Sequence, residues 1–324
     1  MKKSDLQQTA EGSMLFRLRI TQAFAQGGVE NARAEVSLIP EKVLRCLAGR
    51  REVWLTKDPV TQQRWVAKAF LPGRKQRREY KREVQGLKEL AQRGIPGPKL
   101  LFTADDPSGR LWVVTEFIEK SPALGDALFQ KADPEKRSTS IESFVKTLLM
   151  HWQHGVHQTD AHYKNFLWNG ENVYTIDVGS IRFYKKPTPV RTKIKILSIL
   201  CRDFPDDVWE IFVQSFERLP ADEDTQAILS RLKSVGFSEK LQARKRQALF
   251  RLWRKCQRDC TQFRHVHDTS RDLICARSED PDLVETLLTR CESLMQQGER
   301  LKSGNTWHGP EVEHGQPDAD CEAL

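Results

Sequence analysis

Long hydrophobic runs are missing from this 324-residue sequence. No apolar stretch approaches the roughly 20 residues that a membrane-spanning helix needs. The first residues include Lys2 and Lys3, but polar residues follow where a secretory signal would have an apolar segment. We therefore expect a cytoplasmic protein without a secretory signal.

Paired cysteine motifs are also missing. The 7 cysteines are scattered, and no two of them form a CxxC pair of the kind that binds zinc. A disulfide framework is not expected in a chain that stays in the cytoplasm. We interpret the cysteines as reduced thiols.

Acidic residues are too few to balance the basic ones, and the net charge is +8. Such an excess favours an acidic partner, although a basic solvated surface is the competing interpretation. The most basic stretch, 74–82, has neither an aromatic-rich β-platform nor a recognition-helix pattern beside it, so no nucleic acid is expected. An anionic membrane surface, in peripheral contact, is the preferred partner for this stretch.

The order of predicted elements indicates an α+β chain in two unequal lobes. Short β-like runs surround one helix of period 3.6 at 74–93, and several amphipathic helices follow. The β-like runs are 52–56, 64–70, 99–104 and 110–118. The later helices are 140–154, 191–203, 206–218, 222–233, 238–262 and 281–300.

These elements predict four parts of the chain. An N-terminal extension, helical and loop-like with an amphipathic piece at 14–24, precedes a β-rich N-lobe. A helical C-lobe follows, and the last residues are polar enough to be disordered. The boundaries are 1–45, 46–118, 119–302 and 303–324.

One stretch, GVHQTDAHYKNFLWNGENVYTIDVGS at 155–180, places polar side chains around a predicted hairpin. Asn169-Gly170 is a strong turn signal. The turn would bring Asn165, just before the first strand, beside Asp177, just after the second. Asp160 lies five residues before Asn165, so two carboxylates and one amide oxygen are expected to converge.

Such a group of oxygen atoms suits Mg²⁺, which takes few protein ligands and several substrate oxygens. Asp177 and Asn165 are the predicted metal ligands. Asp160 is then the predicted base that accepts a proton from an attacking hydroxyl. The competing interpretation is that these are capping and turn residues of a hairpin.

The stretch resembles the catalytic and metal loops of the protein kinase-like fold, D-x-x-x-x-N followed by D-x-G. The resemblance implies a bilobal fold with ATP and Mg²⁺ as cofactors. It also implies nucleotide-binding roles for Lys68, for Glu83 as its ion-pair partner (preferred over Glu79), and for Gly49. Glu116, with the two residues after it, looks like the segment joining the lobes, where backbone groups would hold adenine.

Within that fold, the chain resembles the lipopolysaccharide kinases, bacterial enzymes that phosphorylate heptose or Kdo of the inner core. The likeness rests on EYKREVQGLKELAQRGIPGPKLL at 79–101, on VYTIDVGSIRF at 173–183 and on the short segment after Gly179. It implies transfer to a sugar hydroxyl at the cytoplasmic face of the inner membrane. A lipopolysaccharide core saccharide or another acidic glycolipid would be the acceptor, which fits basic residues after the metal loop: Arg182, Lys185, Lys186, Arg191, Lys193 and Lys195.

The sequence departs from the kinase pattern in three places. Gln158 stands where a histidine is usual, and His157 lies one residue earlier; the glycine loop is reduced to Gly49; no Ala-Pro-Glu follows. Two alternatives therefore stay open: a pseudokinase that binds without catalysis, and a kinase of the same fold acting on a protein or small alcohol. His162 and Lys164 are either helpers of phosphoryl transfer or solvated loop residues.

The histidines His151, His154 and His157 recur every three residues before the loop. They could form a metal site on one helix face. We prefer the interpretation that they end the helix, where the helix dipole favours histidine.

Overall fold

Strands form most of the first part of the protein. The computed structural model describes residues 7–8, 14–24, 34–129, 133–219, 222–258, 263–267, 272–276, 301–303 and 306–308. The chain divides into two units, 1–244 and 245–324. The seven strands of the main sheet are β1 (Gln7–Gln8), β2 (Met14–Ala23), β3 (Glu35–Leu47), β4 (Arg51–Lys57), β5 (Arg64–Phe70), β6 (Leu100–Asp105) and β7 (Leu111–Glu116).

Six of these strands close into an antiparallel barrel. Their order is β2-β3-β4-β5-β7-β6, and β2 pairs with β6 to complete the circle. Alternate residues of each strand point inward, because successive side chains of a strand point to opposite faces. The barrel core therefore takes side chains from strands far apart in sequence: Phe16, Leu18, Val36, Leu38, Trp65, Ala67, Ala69, Leu101, Phe102, Ala104, Trp112 and Val114.

The prediction of a helical N-terminal extension is wrong. The amphipathic piece at 14–24 is strand β2, and the predicted boundary at residue 45 falls inside β3. The sequence MLFRLRITQA alternates large apolar and polar residues: Phe16 and Leu18 are buried, whereas Arg17 and Arg19 are exposed. That period of two is the signature of a half-buried strand, and it outweighs the helical interpretation.

The other predicted strands of the N-terminal region are confirmed within two residues. The predicted helix at 74–93 is α1 (Gln76–Gln92), which crosses from β5 to β6. Helices follow the barrel: α2 (Leu124–Phe129), α3 (Pro134–Gln153), α4 (Val190–Leu200), α5 (Asp206–Glu217), α6 (Glu223–Leu232) and α7 (Val235–Cys256). Of these helices, only α2 was not predicted. Helix α3 begins earlier than expected because Asp133 caps its N-terminus, where the Asp133 side chain accepts a hydrogen bond from the backbone N of Lys136 at 2.9 Å.

Two short antiparallel pairs lie between α3 and α4. One joins β8 (Val156–Gln158) to β11 (Ile181–Phe183), and the other joins β9 (Phe166–Trp168) to β10 (Val173–Thr175). Buried residues of α1, the barrel's outer face and these loops form one apolar cluster, in which Leu87, Phe70 and Val178 take part. The barrel and the helical part up to residue 244 therefore share a packed boundary.

The second unit contains two further strand pairs in its described parts. They are β12 (Phe263–His267) with β13 (Asp272–Ala276), and β14 (Leu301–Ser303) with β15 (Thr306–His308). Since 306–308 form a strand, the expectation of a wholly disordered tail is wrong there. The predicted helix at 281–300 and the rest of the tail lie outside the described residues. The first unit ends inside α7, so the predicted C-lobe of 119–302 spans both units.

Among the helices that the structure describes, none combines the length and the apolar character needed to cross a bilayer.

Candidate active site

Lys68 points towards the site because successive side chains of strand β5 point to opposite faces of the sheet. Ala67 and Ala69 lie in the barrel core, so Lys68 points outward, towards α1. There its Nζ forms an ion pair and hydrogen bond with the Glu83 carboxylate. The two side chains are 15% and 4% exposed. A half-buried ammonium and a buried carboxylate thus neutralise each other.

The alternative partner for Lys68, Glu79, lies elsewhere. Its carboxylate accepts a hydrogen bond from Nη2 of Arg50 at 2.5 Å. Glu79 and Glu83 are one helical turn apart on α1, but only the second points into the boundary with the loops. The structure therefore joins Lys68 to Glu83.

The hairpin at 166–175 brings Asn165 and Asp177 to the same end. Phe166 pairs with Thr175, and one step further the backbone N of Ile176 donates to the carbonyl of Asn165 at 2.9 Å. The turn between the strands is longer than the predicted two residues. Asn169 accepts hydrogen bonds from the backbone N of Asn172 at 2.8 Å, and of Glu171.

Asp160 is held next to this end of the hairpin through its backbone. Its carbonyl accepts a hydrogen bond from Nδ2 of Asn165 at 2.9 Å. The loop is tied a second time where Oγ1 of Thr159 donates to the carbonyl of Ser180 at 2.5 Å. The Asp160 carboxylate is exposed, and it makes no hydrogen bond or ion pair with another residue that the structure describes.

Asp177 has the left-handed backbone conformation, with φ 55° and ψ 51°. Non-glycine residues adopt it rarely, and such strain concentrates at functional sites. Three cations surround its carboxylate: Nη1 of Arg45 at 3.5 Å, Nη2 of Arg51 at 3.6 Å and Nζ of Lys68 at 3.9 Å. Asp177 therefore lies next to the Lys68–Glu83 pair.

Small residues allow α1 to approach the loop after Asp177. A Cβ on Gly86 would lie 2.8 Å from the side chain of Val178 and 2.9 Å from its carbonyl oxygen. A Cβ on Gly179 would lie 3.0 Å from Oε2 of Glu83, a buried oxygen without a hydrogen-bond partner among the described residues. Close packing thus fixes the position of Asp177 relative to α1.

Gly49 lies in the three-residue turn between β3 and β4, with φ at 67°. This is the left-handed position that such hairpin turns assign to glycine. The turn bears arginines on both sides rather than further glycines. It therefore offers few free backbone amides to a phosphate.

Glu116 ends β7 and is hydrogen-bonded to Lys99, the residue before β6. Its carboxylate accepts from the backbone N of Lys99, and its own backbone N donates to the Lys99 carbonyl, both at 3.0 Å. A cavity of about 600 Å³ lies beside it and beside Phe117. Phe117 and Ile118 make no backbone hydrogen bond with another described residue. A second cavity, about 640 Å³ and bordered by β2 and the β6–β7 turn, includes none of the predicted site residues.

The oxygen atoms at the hairpin end fit a magnesium ion. Oδ1 of Asn165 makes no hydrogen bond to a described residue, and the Asp177 carboxylate is in contact only with cations. Within the described ranges, no three His, Cys, Asp or Glu side chains gather where they could hold a metal ion. A cation here would take most of its ligands from substrate oxygens and water, as Mg²⁺ does.

The histidines before the loop face different surroundings. His151 is buried, and its Nε2 shares a hydrogen bond of 2.8 Å with Oγ1 of Thr175 in β10. Burial lowers the pKa of His151 to about 4, so it is neutral at pH 7. The His157 ring lies tilted against Tyr184, with ring centroids 4.3 Å apart, and burial lowers the pKa of His157 too, whereas His154 is exposed. The three rings therefore do not form a shared metal site.

His162 and Lys164 remain beside the proposed base. Burial, and secondarily the charge of Lys164, lower the pKa of His162. Its Nδ1 accepts a hydrogen bond from the backbone N of Lys164 at 3.2 Å. His162 is therefore held in the loop by its own neighbours, and Lys164 is the exposed cation of the pair.

Sequence reasoning missed Arg45 and Arg51 at this site. The signal was present in the register: Arg45 pairs with Val53, Val53 with Lys68, and Arg51 with Phe70. Directly paired residues project to the same face, so both arginines share the face of Lys68. A hairpin with its turn at Gly49 would have indicated that face.

A scan against protein-family models finds no match for this chain, and a search of curated proteins finds no similar sequence. Evidence on function therefore comes from the geometry of the site and from the order of its motifs.

Proposed function

We propose that this protein is an ATP- and Mg²⁺-dependent kinase of the protein kinase-like bilobal fold. Its acceptor would be a sugar hydroxyl of the lipopolysaccharide inner core, heptose or Kdo, or of another acidic glycolipid. The protein would act at the cytoplasmic side of the inner membrane. Support for the kinase comes from geometry, whereas support for the sugar comes from the motif resemblance and from the exposed basic residues after the metal loop. Of the basic residues predicted there, Lys193 is not available to a saccharide, because it is buried in an ion pair with Asp224.

The observation that carries the proposal is the chain of contacts from Lys68 to Asp160. Lys68 pairs with Glu83 and approaches Asp177 at 3.9 Å; Asp177 follows the residue bonded to Asn165; Asn165 bonds to Asp160. Five residues between positions 68 and 177 are thus linked by consecutive contacts. Capping and turn roles do not require that meeting.

The fold around these residues supports the same proposal. A β-rich part that contains one helix, α1 between β5 and β6, precedes the helical part, which is the order that the resemblance implies for the two lobes. Strand β2 closes the sheet into a barrel by pairing with β6.

Each residue has a chemical role in this proposal. Lys68, oriented by Glu83, binds the α- and β-phosphates; Asn165 and Asp177 would hold Mg²⁺, which supplies charge neutralisation to the phosphates. The Asp160 carboxylate takes the proton of the acceptor hydroxyl. The acceptor oxygen bonds to the γ-phosphorus, the bond from that phosphorus to the β–γ bridging oxygen breaks, and ADP leaves.

A second candidate is a pseudokinase that binds nucleotide without transferring phosphate. The observation that favours it is the engagement of Asp177 by Arg45 and Arg51, where a catalytic metal ligand would be free. Gln158 in place of the usual histidine points the same way, because both polar atoms of its buried amide lack hydrogen-bond partners in the described part of the chain.

Incubation of the full chain with γ-phosphate-labelled ATP and Mg²⁺ tests these candidates. Three acceptors are supplied separately: inner-core lipopolysaccharide, casein and choline. Label in the lipopolysaccharide alone, lost in Asp160→Asn, is the expected result. Label in casein or choline would show that the acceptor is a protein or a small alcohol and not the lipopolysaccharide. A thermal shift with ATP and Mg²⁺ but no transfer to any acceptor would favour the pseudokinase.

A further inference from the structure

The hairpin between β3 and β4 brings more positive charge to the site than the proposed reaction uses. Arg45 and Arg51 lie 3.5 Å and 3.6 Å from the Asp177 carboxylate, in addition to Lys68. Counting Glu83 as well, three positive charges face two negative ones, which leaves one excess positive charge. An anion would complete the balance.

Arg51 is incompletely paired. Its side chain is only 13% exposed, and its Nε is buried without a hydrogen-bond partner among the described residues. Its contact with Asp177 at 3.6 Å is longer than the 2.7–2.9 Å or so of a charge-assisted hydrogen bond. Buried donors left unused are costly, so this guanidinium group is suited to receive a ligand's oxygen atoms.

Arg45 supplies a second guanidinium group on the same face. It is 55% exposed, and Val53 separates it from Lys68 across neighbouring strands. Arg51 lies two residues from Val53, and residues two apart in a strand share a face. The two arginines and Lys68 therefore lie on one surface above Asp177.

The turn itself lacks the usual means of binding phosphate. Gly49 is its only glycine, so a run of backbone amides around a phosphate is not available. A guanidinium group presents several N–H donors in a plane that matches phosphate oxygens. The two arginines can therefore supply what the short glycine loop does not.

We propose that Arg45 and Arg51 bind the phosphate groups of the nucleotide in place of glycine-loop amides. This inference rests on the proposed function. Without nucleotide, both arginines pair with Asp177. When nucleotide binds, they exchange that carboxylate for phosphate oxygens, and the carboxylate becomes available to hold Mg²⁺. The pairing that favours a pseudokinase is then the resting state of an active site.

Calorimetric titration of the full chain with ATP, adenosine and tripolyphosphate, each with and without Mg²⁺, tests the proposal. Arg51→Ala and Arg45→Ala should each raise the Kd for ATP about tenfold, since each removes charge-assisted hydrogen bonds. The Kd for adenosine should not change. Arg51→Lys keeps the charge and the stem but loses the planar group, so it should fold normally and still bind ATP more weakly than wild type.

Arg50→Ala is the matched control, because Arg50 lies in the same turn but pairs with Glu79 on α1. It removes the same charge and should leave every Kd unchanged. An equal loss in Arg50→Ala, or unchanged ATP binding in all arginine variants, would overturn the inference. If wild type binds tripolyphosphate through Arg45 and Arg51 but does not bind ATP, the anion site stands and the proposed kinase does not.

Discussion

The two sides of the candidate site hold their charges in different ways. On the barrel side, the buried Glu83 carboxylate and the half-buried Lys68 ammonium form a tight pair. On the loop side, Asp160 is exposed and its carboxylate is unpaired among the described residues. The first arrangement fixes a cation in place, whereas the second leaves a base accessible to an acceptor.

Asp177 lies between these two sides and shares features of both. Its carboxylate is 26% exposed, and its three cationic neighbours stand at 3.5–3.9 Å. Contacts of this length balance the negative charge of the carboxylate without fixing its position. The comparison thus separates a rigid binding side from an open reacting side, with an adjustable carboxylate at the boundary.

Removing the base should have the largest effect. For Asp160→Asn we expect phosphate transfer to fall about 10²- to 10⁴-fold, the usual contribution of general base catalysis, with unchanged affinity for ATP and unchanged thermal stability. Transfer of label to inner-core lipopolysaccharide and calorimetric titration measure the two quantities. Asp206→Asn, which removes another exposed carboxylate, is the control. A stability loss in Asp160→Asn would give this residue a structural role instead.

Breaking the buried pair should instead affect folding. Glu83→Ala removes the closest partner of the half-buried Lys68 ammonium and leaves it only the longer contact with Asp177 at 3.9 Å, so we expect a loss of up to about 3–5 kcal/mol of unfolding free energy. Glu79→Ala breaks the more exposed pair with Arg50 and should cost at most about 1 kcal/mol. Urea unfolding of both variants measures the difference. Equal losses would show that the two sides of the site are not held differently.

Much of the barrel could be predicted from the sequence. Strand β5 was predicted at its observed bounds, because RWVAKAF alternates between a buried and a half-exposed face and ends at Pro72-Gly73. Strand β2 was predicted as part of a helical and loop-like extension, since 14–24 is amphipathic, although its apolar and polar residues alternate with the period of a strand. Closure of the barrel, through the pairing of β2 with β6, depends on contacts between residues 79 to 86 positions apart and leaves no local signal.

The candidate site likewise has a part that could be predicted from the sequence and a part that could not. Lys68, Glu83, Asn165 and Asp177 lie on elements whose order and turn chemistry the sequence contains, so their meeting could be expected. For the arginines of the β3–β4 hairpin, a turn at Gly49 indicates the face they share with Lys68, but their approach to Asp177 could not be expected, because it depends on how close the strand pair lies to the loop and on its exact register. Local propensity does not determine either quantity.

The hairpin that follows Asn165 is hydrogen-bonded to the neutral His151 side chain through Thr175. We therefore predict that the free energy of unfolding depends on pH. Below its unfolded pKa of about 6.5, the unfolded chain binds a proton at His151 that the folded chain excludes until pH falls to about 4. Stability is therefore fully present above pH 6.5 and is lost as pH falls towards 4, by up to about 3 kcal/mol. Chemical unfolding between pH 7 and 5 measures the slope.

His151→Gln is the variant that sharpens this test, because it keeps a side chain able to bond Thr175 but cannot titrate. The slope of stability between pH 6.5 and 5 should be smaller than in wild type. His154→Gln, at an exposed position on the same helix end, should retain the wild-type slope. Identical slopes in all three proteins would mean that His151 is protonated in the folded state.

The prediction with the smallest expected effect concerns the packing of α1 against the loop after Asp177. Gly86→Ala adds a methyl group that would contact Val178 at 2.8–2.9 Å, so we expect a loss of about 1–3 kcal/mol although alanine favours helices. Because Val178 follows Asp177, the affinity for ATP with Mg²⁺ should fall while that for adenosine does not. Gln85→Ala, exposed on the same helix, changes helix propensity and removes one exposed hydrogen bond to Glu89, and it should alter stability by less than about 0.5 kcal/mol. A stabilised Gly86→Ala variant with wild-type ATP affinity would show that the loop moves away from α1 without cost, and that Asp177 does not depend on this contact.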